Sequence, residues 1–131
     1  MKISSSSKTR SLFQWVALFT GLSWLGEVIH NRIELPGITL LGPENNLTAL
    51  TELIIYALWL LFPSTITKYL LFTLALVHLV GGAVLSVIPF PFLPFYPEQT
   101  IDHYLAHLLY GLAQLPLMAI MFFESKRARE I

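Results

Sequence analysis

No cysteine occurs in the 131 residues of this chain. Disulfides, thiolate metal sites, iron–sulfur clusters, c-type haem attachment and cysteine nucleophiles are therefore excluded. Charge is scarce too: Asp, Glu, Lys and Arg make up 12% of the chain, against roughly 25% in a soluble domain. Eight Lys plus Arg balance eight Asp plus Glu, so the formal net charge is zero. With no basic surface to neutralise phosphates, nucleic acid is excluded as a partner. Apolar side chains take the place of charge. They form 55% of the chain, and the mean hydropathy of +0.66 rules out a soluble globule. The reading is an all-α membrane protein.

A hydrocarbon layer about 30 Å thick is crossed by about 20 mostly apolar residues rising ~1.5 Å each. Four such runs are present, at about 11–29, 43–62, 69–88 and 101–123. The expected fold is four transmembrane helices in an up-down antiparallel bundle. Residues 1–10, with the serine run 4–7, read as a disordered tail, and 124–131 as a basic tail. Gly42-Pro43-Glu44 and Tyr96-Pro97-Glu98 place proline and an acid where a helix start favours them, while Pro63 and Pro89 stop the second and third runs. Lys2, Lys8 and Arg10 ahead of an apolar stretch also suit a secretory signal. No small-x-small cleavage site follows, however, and Glu27 and His30 are out of place in one, so the first run is read as an uncleaved span.

Orientation follows from the basic residues beside the spans. Lys2, Lys8, Arg10, Lys68, Lys126, Arg127 and Arg129 fall on one side, and only Arg32 on the other. The positive-inside rule then puts both termini in the cytoplasm, as an even number of spans requires, with the cell (plasma) membrane the expected location. The Asn46-Leu47-Thr48 triplet matches a glycosylation acceptor but lies too close to the membrane to carry weight.

An ionisable side chain in hydrocarbon costs at least ~2.5 to 3.5 kcal/mol, so each one retained is a candidate functional group. Thr20, Ser23, Glu27 and His30 share one face of the first helix, and His103, His107, Tyr110 and Gln114 one face of the last. The second helix offers Thr48, Glu52, Tyr56 and Trp59, and the third His78, Gly82 and Ser86. Each helix thus owns one polar or small stripe, and the four stripes are expected to face one another inside the bundle. Glu27, His30, Glu52, His103 and His107 are the candidate ligand-binding residues, near the outer ends of their helices, while His78 falls near the midplane. The plain alternative is that these groups only hydrogen-bond between helices, at about 0.6 kcal/mol per contact.

The His103/His107 pair sets two imidazoles on one face about 6 Å apart, close enough to share a metal, with Glu27 as the carboxylate of a set suited to zinc or non-haem iron. His78 with His103 or His107 is the one pairing that could hold a b-type haem. The outer loops are nearly free of charge. Residues 89–97 are all Pro, Phe, Leu and Tyr, and the 31–41 loop carries Ile33, Leu35, Ile38, Leu40 and Leu41. Either they form a lid over the polar layer, or they anchor the bundle as an aromatic belt.

A first span, an apolar loop, Thr51-Glu52-Leu53 early in the second span, a short turn and a third span containing Gly81-Gly82 together resemble the DoxX-like small four-helix membrane proteins. The resemblance implies the four-helix membrane fold. It also implies membership of a group that mixes quinone-linked oxidoreductase subunits with proteins of unassigned role, and no catalytic residue is carried across.

Two functions from different classes follow. In the first, a polar pocket near the outer leaflet binds a lipophilic small molecule, quinone-like or isoprenoid-like, whose polar head meets the Glu and His residues. An enzymatic version would use a His and a Glu as acid and base, but no nucleophile or phosphate-binding motif supports it. In the second, the chain is a noncatalytic accessory or assembly subunit, with Gly21, Gly26 and Gly111 marking grooves for other membrane proteins. A metal- or haem-binding membrane subunit is a third reading, and the cofactor is otherwise unknown.

Overall fold

The computed structural model describes residues 4–127 apart from 36 and 95, with side chains over 10–124. Four α-helices make up the fold, with no strand among the described residues: α1 (Ser4–Glu34), α2 (Pro43–Leu61), α3 (Thr65–Val77) and α4 (Ile101–Arg127). The rod begun by α3 does not stop at Val77. It widens into a π-helical stretch over His78–Val84 and tightens into a 3-10 turn at Leu85–Val87. Each helix packs on its neighbours in chain order and α1 packs most extensively on α4, which closes the ring.

The helix ends follow local chemistry. Pro43 occupies the first turn of α2 with Glu44 beside it, which suits the unpaired N–H groups there. α3 starts at Thr65, ahead of the expected residue 69, because Ser64 and Thr67 form a reciprocal capping box. Thr100 accepts from the His103 N–H at 3.3 Å and caps α4. Between α1 and α2 the chain turns at Gly37, whose φ of +82° a side chain would resist. α1 outruns its expected 11–29 span at both ends. The stretch from Ser4 to Arg10, read from the sequence as a disordered tail, is helical, and so is the stretch from His30 to Glu34. At the other end α4 continues to Arg127, and residues 128–131 of the expected basic tail lie outside the described residues.

Three helical segments, Arg10–Glu34, Thr65–Val87 and Ile101–Glu124, are long and apolar enough to cross a membrane. The distribution of side chains is that of a membrane protein. Leu18, Leu53, Leu61, Ile66 and Leu109 face outward, whereas Ser23, Glu27, Glu52, His103, His107 and Gln114 are buried. One end of the bundle is closed by an apolar cluster of Val16, Trp59, Leu71, Ala75, Leu117 and Met121. The other end holds the polar stripes.

Close packing places those stripes. A Cβ on Gly26 would run into the Ala113 methyl and lie 3.5 Å from the Tyr110 carbonyl, so Gly26 is what lets α1 approach α4. Gly111 packs against Ala83 and Leu79 across the α3–α4 seam. Two of the three glycines expected to mark outward docking grooves are therefore spent inside the bundle, and only Gly21 has open space around it.

Candidate functional site

The stripes expected from helical spacing do face one another. Thr20, Ser23 and Glu27 of α1, Glu52 and Trp59 of α2, and His103, His107, Tyr110 and Gln114 of α4 are buried, with His30, Thr48, Tyr56, His78, Gly82 and Ser86 half-buried beside them. They sort into two layers rather than one.

The outer layer is built from histidines. His107 donates from Nδ1 to the Gly82 carbonyl at 2.9 Å, with the Ser86 hydroxyl 3.3 Å from the same nitrogen. That bond settles the His107 tautomer and leaves its Nε2 3.0 Å from His30 Nε2, while His30 Nδ1 stands 3.2 Å from the Asn31 side-chain oxygen. Each histidine of the pair orders the other. His103 stacks beside His107 with ring centroids 4.4 Å apart, and its Nδ1 is held by Glu34. The Gly82 carbonyl is available because it lies in the π-helical stretch, where the ordinary i to i+4 ladder is interrupted. A Cβ on Gly82 would meet the Tyr110 ring at 2.6 Å, so glycine is needed there for Tyr110 to fill the centre.

The inner layer brings three helices together. One ligating atom each from Glu27, Glu52 and His78 lies within 4.8 Å of the other two. His78 Nδ1 is 3.6 Å from Glu52 Oε1, beyond hydrogen-bonding length. Ser23 stands 3.0 Å from Glu52 Oε1, and its hydroxyl also meets Gln114, whose amide is anchored on the Ser23 and Tyr110 carbonyls. Thr48 and Asn31 stand beside the Glu27 carboxyl. Even so, Glu27 Oε2, Glu52 Oε2 and His78 Nδ1 are buried without a hydrogen-bond partner.

The candidates therefore meet in a different grouping from the one their spacing suggests. Glu27 is brought together with Glu52 and His78, not with His103 and His107, because His107 has both ring nitrogens engaged and His103 turns to Glu34. The Tyr110 ring stands between the layers, 5.9 Å from His78 and 5.3 Å from His30, where a haem shared between His78 and an outer-layer histidine would need to sit.

Above the inner layer is a chamber of about 400 Å³, walled by Glu27, His30, Glu34, His103, His107 and Tyr110. Among the described residues, each loop at this end gives it one apolar residue, Leu35 and Pro97, while Phe92 and Tyr96 are exposed. On the far side of His107 runs an apolar groove of about 500 Å³ between the third rod and α4, bordered by Leu79, Val84, Ile88, Leu108 and Leu112. His107 is the wall common to both spaces.

Two residues matter that the sequence reading passed over. Glu34 continues the α1 stripe, four residues beyond His30 and seven beyond Glu27, in the part of α1 that extends past the expected end at residue 29. Asn45 is 1% exposed and ties the first loop down, donating to the Thr39 and Leu40 carbonyls and accepting from Asn31 at 2.9 Å. Nothing in the spacing singles it out. No protein-family model, no curated protein and no solved structure matches the chain.

Proposed function

We propose that the chain is a membrane protein with four spans and both termini cytoplasmic, and that it holds a lipophilic small molecule, quinone-like or isoprenoid-like, by its polar head. The observation that carries this reading is His107 standing between two spaces of opposite character. An apolar tail fits the groove lined by Leu79, Leu108 and Leu112, and a carbonyl or hydroxyl head exchanges for the Ser86 hydroxyl or the His30 ring at His107, which borders that groove. The two volumes fall in the range of ligand sites, a mostly apolar wall with a few convergent polar groups. Use of Gly26 and Gly111 in internal packing argues against the accessory-subunit reading, which needs them outside.

α2 supplies the fourth span. Its 19 residues reach about 28 Å at 1.5 Å per residue, its charged and amide positions lie in the first turn at Glu44, Asn45 and Asn46 or face inward at Glu52, and the exposed Thr51 hydroxyl is satisfied by the Leu47 carbonyl. Reporters fused at Met1 and after Ile131 should read on the same side of the membrane. Opposite readings would leave α2 outside the bilayer and remove the layout.

The ligand test is extraction in mild detergent followed by native mass spectrometry and organic extraction. Wild type should retain a stoichiometric apolar small molecule, and His107→Leu should lose it while keeping its helical content. Retention of bilayer phospholipid alone, equal in both, would overturn the reading. A stoichiometric protein partner without a small molecule would restore the accessory subunit.

A further inference from the structure

We propose that Glu27, Glu52 and His78 form a binding site for a divalent first-row transition metal ion, beneath the chamber and separate from the histidine layer. The decisive observation is the set of unpartnered atoms. Were these residues present only to bond the helices together, their polar atoms would be paired with one another, since a buried polar atom without a partner is strongly disfavoured in hydrocarbon. Instead Glu27 Oε2, Glu52 Oε2 and His78 Nδ1 are all buried and unpaired, on three different helical rods, within one small volume. Glu52 is 2% exposed and Glu27 8%.

The spacing suits a cation. With metal–ligand distances near 2.1 Å, neighbouring ligands around a tetrahedral ion are about 3.4 Å apart. His78 Nδ1 and Glu52 Oε1 stand at 3.6 Å, too far for a hydrogen bond and close to that edge. The Glu27 oxygen, within 4.8 Å, closes the remaining gap by rotation about its terminal torsion, which is broad. Two carboxylates and one imidazole are the donor types preferred by zinc, iron or manganese. Charge supports the same conclusion. Among the described residues no Lys or Arg lines the chamber, or the groove that Ala17, Trp24 and Leu53 form beside Glu52, and a divalent ion would balance both carboxylates.

A supporting shell is in place as well. Ser23 holds Glu52 from behind and is itself held by Gln114, an arrangement that fixes a ligating carboxylate in direction. Three protein ligands leave one coordination position open. Because Glu27 belongs also to the chamber wall, that position is reached from the chamber. The site stands whether or not the chamber takes a lipophilic ligand, since none of its three ligands borders the apolar groove behind His107.

The experiment uses the full, tag-free chain in detergent, stripped with chelator and titrated with Zn²⁺, and in parallel with Co²⁺, whose visible spectrum reports coordination number. Wild type should bind one ion per chain with the absorption of a four- or five-coordinate cobalt site. Glu52→Gln and His78→Ala should each weaken binding at least about 100-fold, and Ser23→Ala about 10-fold, as loss of a supporting partner does. His103→Ala should leave affinity unchanged. Thermal unfolding of each apo variant shows whether it is folded, and Glu27→Gln provides a second ligand variant should His78→Ala fail that check. Binding that survives Glu52→Gln and Glu27→Gln but falls with His103→Ala would move the metal to the histidine layer and overturn the proposal. So would wild-type binding that is substoichiometric or spectroscopically octahedral with water, the mark of surface cobalt. Loss of the lipophilic ligand with metal binding intact would strike only the chamber reading.

Discussion

The two ends of the bundle are built on opposite principles. At one end Val16, Trp59, Leu71, Ala75, Leu117 and Met121 interlock, with Phe13 edge-on to Trp59 at 5.1 Å, and among the described residues Trp59 Nε1 is the one side-chain polar atom there left buried and unpaired. At the other end Glu27, Glu52, His78 and His103 each leave such an atom. In lipid no hydrophobic drive separates helix from solvent, so association rests on close packing. The apolar end supplies that packing through interlocking side chains, and the polar end through glycine at Gly26, Gly82 and Gly111. Close apolar packing is concentrated in one half, and most of the unsatisfied polar atoms lie in the other.

The contrast breaks most easily at Trp59. Trp59→Ala removes a fully buried side chain and leaves a cavity that Phe13 and Tyr56 cannot fill, so a loss of about 3 kcal/mol is expected in detergent unfolding. Ligand and metal content of the surviving folded fraction should be unchanged. If that content falls in step with stability, the two halves are not independent.

Gly26→Val tests the seam between them. Its side chain would drive α1 away from Ala113 and the Tyr110 backbone, an overpacking cost of about 1 to 3 kcal/mol. Unlike Trp59→Ala, it should also empty the site, because Glu27 moves with α1. A destabilised variant that still binds ligand would show that the site tolerates a shifted helix.

The smallest change sharpens the comparison most. Glu27→Leu removes an unpaired buried oxygen, and Thr48 and Asn31 keep other partners in the Asn45 carbonyl and the Asn45 side chain. Stability should stay within about 1 kcal/mol of wild type or rise, while ligand and metal content fall. Glu27→Gln should match it in both respects. A variant pair in which Leu is clearly worse than Gln would mean that Glu27 acts as interhelical glue, and the polar end would then be structural like the apolar one.

Much of this was legible from the chain. Spacings of three and four along α1 and α4 put Ser23, Glu27, His107 and Gln114 on inward faces, and burial bears this out. Pro43 and Pro63 bracket α2 as their chemistry requires. The boundaries were less legible where a side chain acts across sequence. Ser64 starts α3 early through its bond with Thr67, and α1 runs on to Glu34, where the carboxylate meets His103.

By itself the sequence determined the class and the faces. Too few charges for water, no cysteine, and one polar stripe per apolar run leave a helical membrane bundle with its polar groups inside, because hydrocarbon tolerates neither unpaired backbone nor lipid-facing carboxylates. Which polar group meets which was decided only in three dimensions. Helical period and span position place Glu27 and His107 on inward faces near one end but do not fix how the helices slide and rotate against one another, and Glu27 and Glu52 meet His78, expected nearer the midplane. Slide and rotation are set by how closely Gly26 lets α1 approach α4, and by the π-helical stretch at His78–Val84 that shifts the third rod's register. That shift frees the Gly82 carbonyl for His107 and brings His78 round to Glu52, which groups Glu52 with His78 and leaves Glu34 as the acid of the outer histidines.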